Sequence, residues 1–357
     1  MKKIQPIFIP KIQFLTFILF AIILAGCASE KKVFDIDTVS QKEREMIEEG
    51  VRMNDRGEYS KALAKYQEVL DINPDNIIAM AECSFTYFEM NDCEKSLEYN
   101  LKALEYESRM RPDLIAAAAN CYDILGEPEK AISLYEEGKK LNPKNINILF
   151  NLAIAYANLD QFDKAEENFI ETIQADQGYA SAHFGLANIY MEKNEPIMAL
   201  FPSLRFLSLE PISPRADMIR SSLKVILNFD PKGEDTAAVM IATSNKIFLD
   251  EEVLLQKLKL DRLNSTRIKL PKIHNMVFEL KTMLRSKELR EKSESCEHFV
   301  CRHYLPYFME ITKNELTDAF FYYSFRGERA EEVMYWINQN EDKMMDMQLF
   351  NDVWEWK

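Results

Sequence analysis

The sequence predicts an all-α fold, and three observations support this prediction. Only 9 of the 357 residues are glycine and 13 are proline, which suits long helices better than a turn-rich β-sandwich. A register of about 34 residues recurs five times between positions 43 and 213. Beyond that register, the segment 272–287 carries apolar residues at helical spacing. These residues are Ile273, Met276, Val277, Leu280 and Leu284.

The chain begins with a basic and then strongly apolar segment. Three lysines accompany an almost unbroken apolar stretch at 12–24, and the motif Leu24-Ala25-Gly26-Cys27 follows. This arrangement resembles a bacterial lipoprotein signal peptide. The resemblance implies that residues 1–26 are cleaved and that Cys27 receives lipid. An uncleaved signal anchor is the alternative, because apolar residues also occupy positions 4–10.

Residues 27–42 are interpreted as the lipidated cysteine and a short flexible tether. A random-coil tether of this length spans roughly 20 Å, so the folded part is expected close to the bilayer. Ala28 follows the cysteine, which under the enterobacterial sorting rule implies the outer membrane. We therefore expect a lipid-anchored protein of the cell envelope that faces the periplasm, with exposure at the cell surface as the open alternative.

Side-chain types recur at fixed positions of the five repeats. Position 8 is small: Gly50, Ser84, Ala119, Ala153 and Ala187. Position 11 is mostly tyrosine: Met53, Tyr87, Tyr122, Tyr156 and Tyr190. Position 20 is small again: Ala62, Ser96, Ala131, Ala165 and Ala199. Position 32 is often proline: Pro74, Ser108, Pro143, Gln177 and Pro211.

This pattern resembles that of tetratricopeptide (TPR) repeats. The resemblance implies a right-handed α-solenoid of helical hairpins over residues 43–228, with residues 214–228 as a capping helix. Small residues let the two helices of a repeat cross closely, and proline ends the second helix. Two departures stand out. Asn100 occupies position 24, where an aromatic residue is usual, and Pro202 is expected to kink the second helix of the fifth repeat.

The first helix of each TPR repeat lines a concave groove in that family. The resemblance places on this groove Ile47, Val51, Ile78, Phe85, Phe88, Ala116, Asn120, Asp123, Phe150, Asn151, Ile154, Phe184, Asn188 and Met191. We expect an apolar, amide-flanked groove that binds a segment of another protein. The carboxylate clamp of the family is not expected, because Ala116, Ser181 and Gly185 occupy its cationic positions. Alternatively, the C-terminal region covers the aromatic rings.

Residues 229–357 fit no TPR register and are interpreted as a helical C-terminal domain. Helices are expected near 251–260, 272–287, 296–311, 314–325, 328–339 and 343–354. Aromatic residues concentrate here, as in the run FFYYSF at 320–325, and at the terminal Trp354 and Trp356. Core packing is the favoured interpretation of these rings, and a partner-binding patch is the alternative.

Residues with catalytic or metal-binding chemistry are few. Cys296, His298, Cys301 and His303 are close in sequence but would point to different sides of one helix, so a zinc site is not favoured. Simple buried thiols are the favoured interpretation of the cysteines, although Cys83 and Cys121 lie on neighbouring first helices and could approach. His183 is interpreted as a packed residue. No cofactor is expected.

Charge narrows the class of partner. The formal net charge is −14, and the chain from Cys27 onward carries −17 because the signal segment holds three lysines and no acid. Such a surface repels nucleic-acid phosphates, so no nucleic-acid partner is expected. We expect a protein-binding scaffold and not an enzyme. The alternatives are a cell-surface lipoprotein that binds glycan or other nutrients, and an enzyme whose site lies in residues 229–357.

Overall fold

Helices dominate the protein, as the all-α prediction requires. The structure is a computed structural model and describes residues 32–226, 272–328 and 331–354. The signal segment, Cys27, the helix expected at 251–260 and Trp356 lie outside the described residues. Within them, seventeen α-helices occur, together with two strands of two residues each.

The helices of the predicted repeats and cap are α1 Gln41–Asn54, α2 Tyr59–Ile72, α3 Ile77–Glu89, α4 Cys93–Ala103, α5 Arg111–Ile124, α6 Pro128–Leu141, α7 Ile146–Asn158, α8 Phe162–Ala175, α9 Ala180–Glu192, α10 Pro196–Leu209 and α11 Pro214–Ile226. The C-terminal helices are α12 Lys272–Leu284, α13 Lys287–Ser295, α14 Phe299–Lys313, α15 Thr317–Ser324, α16 Glu331–Gln339 and α17 Glu341–Val353. The strands are β1 Lys32–Val33 and β2 Tyr106–Glu107.

Within each unit, the repeats form helical hairpins, and consecutive hairpins pack on one another. Helix α1 packs on α2, α3 on α4, α7 on α8 and α9 on α10. The small residues of positions 8 and 20 lie at these crossings and are almost fully buried. A Cβ atom at Gly50 would overlap the ring of Tyr66, so that crossing tolerates no larger side chain. The hairpin architecture of the prediction is therefore confirmed.

A residue in the left-handed backbone conformation follows the first helix of every repeat. The residue at position 15 adopts the left-handed conformation in all five copies, with φ between 56° and 76°. These residues are Gly57, Asn91, Gly126, Asp160 and Asn194. Glycine, asparagine and aspartate tolerate this conformation best, so each turn is encoded locally.

Prolines mark the ends of second helices, as predicted. Helix α2 ends two residues before Pro74, α6 two residues before Pro143, and α10 two residues before Pro211. Helix α10 runs from Pro196 to Leu209 as one helix with Pro202 inside it, so the proline does not end the helix, and the predicted kink stays a prediction. Its residues 196–208 are buried without exception. The buried residues include Ser203, Arg205 and Ser208 beside the apolar side chains, so other parts of the unit cover α10 on all sides.

The C-terminal helices supply that cover. Helices α14 and α15 pack on α10, and the ring of Phe308 lies 5.7 Å from that of Phe201. The expected capping helix is present as α11, which also packs on α10. The helix expected near 296–311 begins later, at Phe299, since His298 caps it by accepting the Val300 N–H at 3.2 Å. Helix α13 was not expected.

The chain divides into two compact units, one up to Cys121 and one from Tyr122 onward. This division falls within α5, and α12–α17 belong to the same unit as the last repeats. The predicted boundary at 228/229 stays a prediction. Within this unit, α14 and α15 pack on the fully buried part of α10.

The predicted tether is folded from Lys32 onward. Strand β1 pairs in parallel with β2, and the Phe34 N–H donates to the Glu107 carbonyl at 3.0 Å. Tyr106 is buried, and its hydroxyl donates to Asp75 Oδ1 at 2.5 Å. The expectation of a flexible segment through residue 42 is thus corrected. The residues of β2 lie near the end of the second repeat, between α4 and α5.

Candidate partner-binding site

An open apolar pocket lies between the first helices of the second and third repeats, α3 and α5, over α4. Its volume is about 480 Å³. The lining residues are Ala81, Glu82, Ser84, Phe85, Phe88, Ser96, Asn100, Met110, Asp113, Leu114, Ala117 and Asn120. We call this the α3–α5 pocket. Three predicted groove residues, Phe85, Phe88 and Asn120, line it together.

Phe85 is the most exposed aromatic side chain of the pocket. It is 52% exposed although it sits in the middle of α3. Phe88 and Asn120 are partly exposed. A phenylalanine that is left half in water beside a cavity is a feature of binding surfaces rather than of a packed core.

The pocket exists because the second repeat lacks an aromatic ring. Position 24 carries Tyr66, Tyr135 and Phe169 in the first, third and fourth repeats, and all three are fully buried. Phe169 fills the space between α7 and α9, with its ring 5.9 Å from Phe150 and against the backbone of Gly185. The second repeat has Asn100 at this position. The space that a ring would fill is therefore open.

Polar groups line the floor of the pocket. Ser84 and Ser96 stand at the helix crossing where other repeats have alanine or glycine, and their hydroxyls lie 2.9 Å apart. The Cys121 thiol donates to Ser96 Oγ at 3.2 Å. Asn100 is 1% exposed, and neither its amide nitrogen nor its amide oxygen has a hydrogen-bond partner among the described residues. Sequence analysis had noted Asn100 only as a departure from the family pattern.

The charged residues that line the pocket are both acidic. Glu82 is partly buried, which raises the pKa of its carboxyl group, and the nearby Asp55 carboxylate raises it further. Asp113 is exposed at the rim. No lysine or arginine belongs to the residues that line this pocket. The electrostatic potential of the pocket is thus negative.

Six further predicted groove residues lie in the second unit and are partly exposed: Phe150, Asn151, Ile154, Phe184, Asn188 and Met191. Phe150 contacts Phe169 and Tyr179, with ring centroids 5.9 and 5.2 Å apart. Phe184 lies 5.3 Å from the ring of Phe206. The structure therefore groups only Phe85, Phe88 and Asn120 around one pocket of the first unit.

One cation lies where the sequence analysis expected none. Arg215 of α11 donates to Ser181 Oγ at 2.9 Å, and its guanidinium lies 5.5 Å from the centre of the Phe184 ring. The same guanidinium forms an ion pair with Glu210. Its charge is already neutralised within the unit, so this arrangement is not a carboxylate clamp.

The clustered cysteines and histidines at 296–303 do not lie on one continuous helix, because α13 ends at Ser295 and α14 begins at Phe299. Cys296 and Cys301 form a disulfide that links the end of α13 to the first turn of α14, with their Cα atoms 5.9 Å apart. The expectation of simple thiols is wrong for this pair, because the turn at His298 brings the two cysteine side chains together. Within the described residues, no group of three or more metal-binding side chains converges.

The remaining described cysteines are free and buried: Cys83, Cys93 and Cys121. The prediction of simple buried thiols is confirmed for these three cysteines, and burial raises the pKa of the Cys83 thiol to about 12. His183 is fully buried, and its ring nitrogens bond to the Tyr304 hydroxyl at 2.7 Å and the Gln177 carbonyl at 3.0 Å. The prediction that His183 is a packed residue is also confirmed.

Most of the C-terminal aromatic residues form a core. Phe320, Phe321, Tyr322 and Phe325 are buried, which confirms the favoured interpretation of the run at 320–325. Phe278 and Tyr335 are exceptions among the described residues and are 59% and 68% exposed. Among the described helices, none is long and apolar enough to cross a membrane.

Comparison with known protein families identifies the repeats. A family model described as "Psidin, N-terminal TPR repeats region" matches residues 52–172. This stretch of the chain consists of TPR repeats. The matched residues include the whole α3–α5 pocket.

Two curated relatives match part of the chain. The general transcriptional corepressor trfA of Dictyostelium discoideum is 28% identical over 125 residues, and BBSome complex member BBS4 of Bos taurus is 27% identical over 105 residues. These matches cover 34% and 29% of this chain. The chain spans only 9% and 20% of the lengths of these relatives.

Solved structures of TPR proteins are also similar. A crystal structure of MamA matches with a TM-score of 0.44 and 19% identity, over 48% of this chain and 93% of MamA. The crystal structure of YrrB, described as a TPR protein with an unusual peptide-binding site, matches with a TM-score of 0.44 and 20% identity, over 49% of this chain and 90% of YrrB.

Proposed function

We propose that this chain is a membrane-anchored scaffold of the bacterial cell envelope that binds a segment of another protein in the α3–α5 pocket. The observation that carries the proposal is the open apolar pocket with Phe85 half exposed at its mouth. Its volume of about 480 Å³ is in the range that takes a ligand or a few side chains. A TPR scaffold supports this proposal, since stacked hairpins present side chains to a partner from a rigid frame.

The proposed anchor is the lipidated Cys27, held at the outer membrane on its periplasmic side. Cys27 precedes Lys32, the first described residue, by five positions, and β1 fixes Lys32 to β2. Five extended residues span at most about 18 Å, so a lipidated Cys27 would hold the first unit at the membrane surface. Several acyl chains on one cysteine would make that attachment stable.

The pocket is tested by crosslinking in intact cells with Phe85→Glu. A carboxylate at the mouth would be desolvated by an apolar partner, so we expect crosslinked products of the wild-type protein to be lost. Leu101→Glu is the matched control, because Leu101 is 42% exposed on α4 of the same unit and does not line the pocket. Equal product patterns for the wild type and Phe85→Glu would contradict the proposed function.

A further inference from the structure

Asn100 is buried at the floor of the α3–α5 pocket with both amide atoms unpaired among the described residues. A buried amide without partners costs free energy, which a ligand that supplies both a donor and an acceptor can recover. The pocket also occupies the place of a missing aromatic ring, as the buried Tyr66, Tyr135 and Phe169 of other repeats show. The shape of the pocket and the unpaired Asn100 amide thus both favour an aromatic ligand group that can donate and accept hydrogen bonds.

We propose that the α3–α5 pocket binds a tyrosine side chain of the partner segment, whose ring replaces the aromatic residue that the second repeat lacks. This inference rests on the proposed function and names the chemistry of the partner. The ring would pack against Phe85, Phe88 and Leu114, and the hydroxyl would meet the Asn100 amide.

Tyrosine fits this floor better than the other aromatic residues. Its hydroxyl can donate to Asn100 Oδ1 and accept from Asn100 Nδ2, whereas the indole of tryptophan only donates and phenylalanine does neither. The side chain of Asn100 is shorter than a phenylalanine or tyrosine side chain, so the space between Ala81 and Ala117 remains for the incoming ring. These two alanines occupy the positions that hold Phe150 and Gly185 around the Phe169 ring.

Residues beside the tyrosine are expected to be basic. Glu82 and Asp113 are the charged residues that line the pocket, and an acidic flank on the partner would be repelled by both. A lysine or arginine on either side of the tyrosine would instead be attracted. The inferred partner is therefore a segment with a tyrosine between basic residues.

The test compares two peptides, acetyl-Lys-Tyr-Lys-amide and acetyl-Lys-Phe-Lys-amide, titrated against the full-length chain by ligand-observed NMR. We expect the tyrosine peptide to bind about three- to tenfold more tightly, the effect of one or two net hydrogen bonds. In Asn100→Leu, a residue of similar size without the amide, this preference should disappear or reverse. In Asn100→Tyr, the new ring fills the pocket, and neither peptide should bind.

Equal binding of the two peptides to the wild type, as expected if water satisfies the amide, would overturn the inference, and so would no binding of either. In both cases the crosslinking result with Phe85→Glu decides separately whether the pocket binds a partner. If the crosslinked products persist in Phe85→Glu, the proposed function itself fails. Asn100→Leu should unfold at the same or a higher temperature than the wild type, because it removes buried unpaired groups.

Discussion

At the scale of single residues, Glu43 joins the start of the repeat array to the next hairpin. Its carboxylate accepts hydrogen bonds from the Ser40 hydroxyl at 2.5 Å, the Asn73 amide at 2.8 Å and the Asn76 amide at 3.2 Å. The Ser40 hydroxyl contributes most to lowering the pKa of Glu43 to about 2, while burial opposes the shift. One ionised side chain thus caps α1 and fixes the turn before α3.

Glu43 makes the stability of the first unit depend on pH. Its pKa in the folded state lies below the ordinary value of 4.5, so the stabilisation is complete above pH 4.5 and is lost as pH falls toward 2. We expect Glu43→Gln to lower the free energy of unfolding by about 2 kcal/mol at pH 7 and by much less near pH 2.5. Denaturant unfolding followed by circular dichroism at both pH values measures this difference. Glu45→Gln, at an exposed site on the same helix, should leave the pH dependence unchanged.

At the scale of elements, the pairing of β1 with β2 holds the N-terminal segment against the junction of the second and third repeats. Tyr106 is the centre of this contact. Its ring lies 6.4 Å from that of Phe34, and its hydroxyl also accepts from Lys32 Nζ at 3.3 Å. Arg44 of α1 adds two hydrogen bonds, to the carbonyls of Ile36 at 2.8 Å and Val39 at 3.1 Å. The segment beside the proposed anchor is therefore part of the folded unit.

Tyr106→Phe should loosen this segment without disturbing the repeats. The ring remains, but the hydrogen bonds to Asp75 and Lys32 are lost. This loss lowers the free energy of unfolding of the segment by about 1 kcal/mol. We expect faster hydrogen exchange of the Phe34 amide, whose N–H bonds to the Glu107 carbonyl. Tyr99→Phe is the control, because that ring keeps its stacking on Tyr87 at 5.7 Å. Unchanged exchange at Phe34 in Tyr106→Phe would show that the strand does not depend on this hydroxyl.

At the scale of the whole molecule, the proposed function requires attachment to a membrane. Cys27 is the proposed attachment point, and the described helices contain no span that could replace it. The proposed attachment is lipid on Cys27, and the alternative is an uncleaved apolar segment at the start of the chain.

Cys27→Ser should release the protein into the soluble fraction, since the thioether to lipid can no longer form. Membrane fractionation followed by immunoblotting measures the release. A variant that stays in the membrane fraction would favour an uncleaved signal anchor instead. Protease added to intact cells bearing the wild-type protein tests its orientation, because a protein that faces the periplasm is protected and one on the cell surface is cut.

Local patterns in the sequence determined the repeats of this protein. Three kinds of signal act within one hairpin. They are small residues at the crossings, residues such as Asn91 that adopt the left-handed backbone conformation at the turns, and prolines after second helices. Such signals can be recognised from spacing alone, because neighbouring residues on a helix meet at fixed intervals. The same register brought Phe85, Phe88 and Asn120 together as candidates before their contacts were known.

Only the tertiary structure decided which features belong to the site and what covers the last repeat. The β1–β2 pairing joins residues 74 positions apart, and the cover on α10 comes from helices more than 90 positions later, as between Phe201 and Phe308. Asn100 marks a missing ring in the sequence, but packing decides whether neighbouring residues close such a gap. Here Ala81 and Ala117 are too small to fill it, so the pocket stays open with a buried amide at its floor.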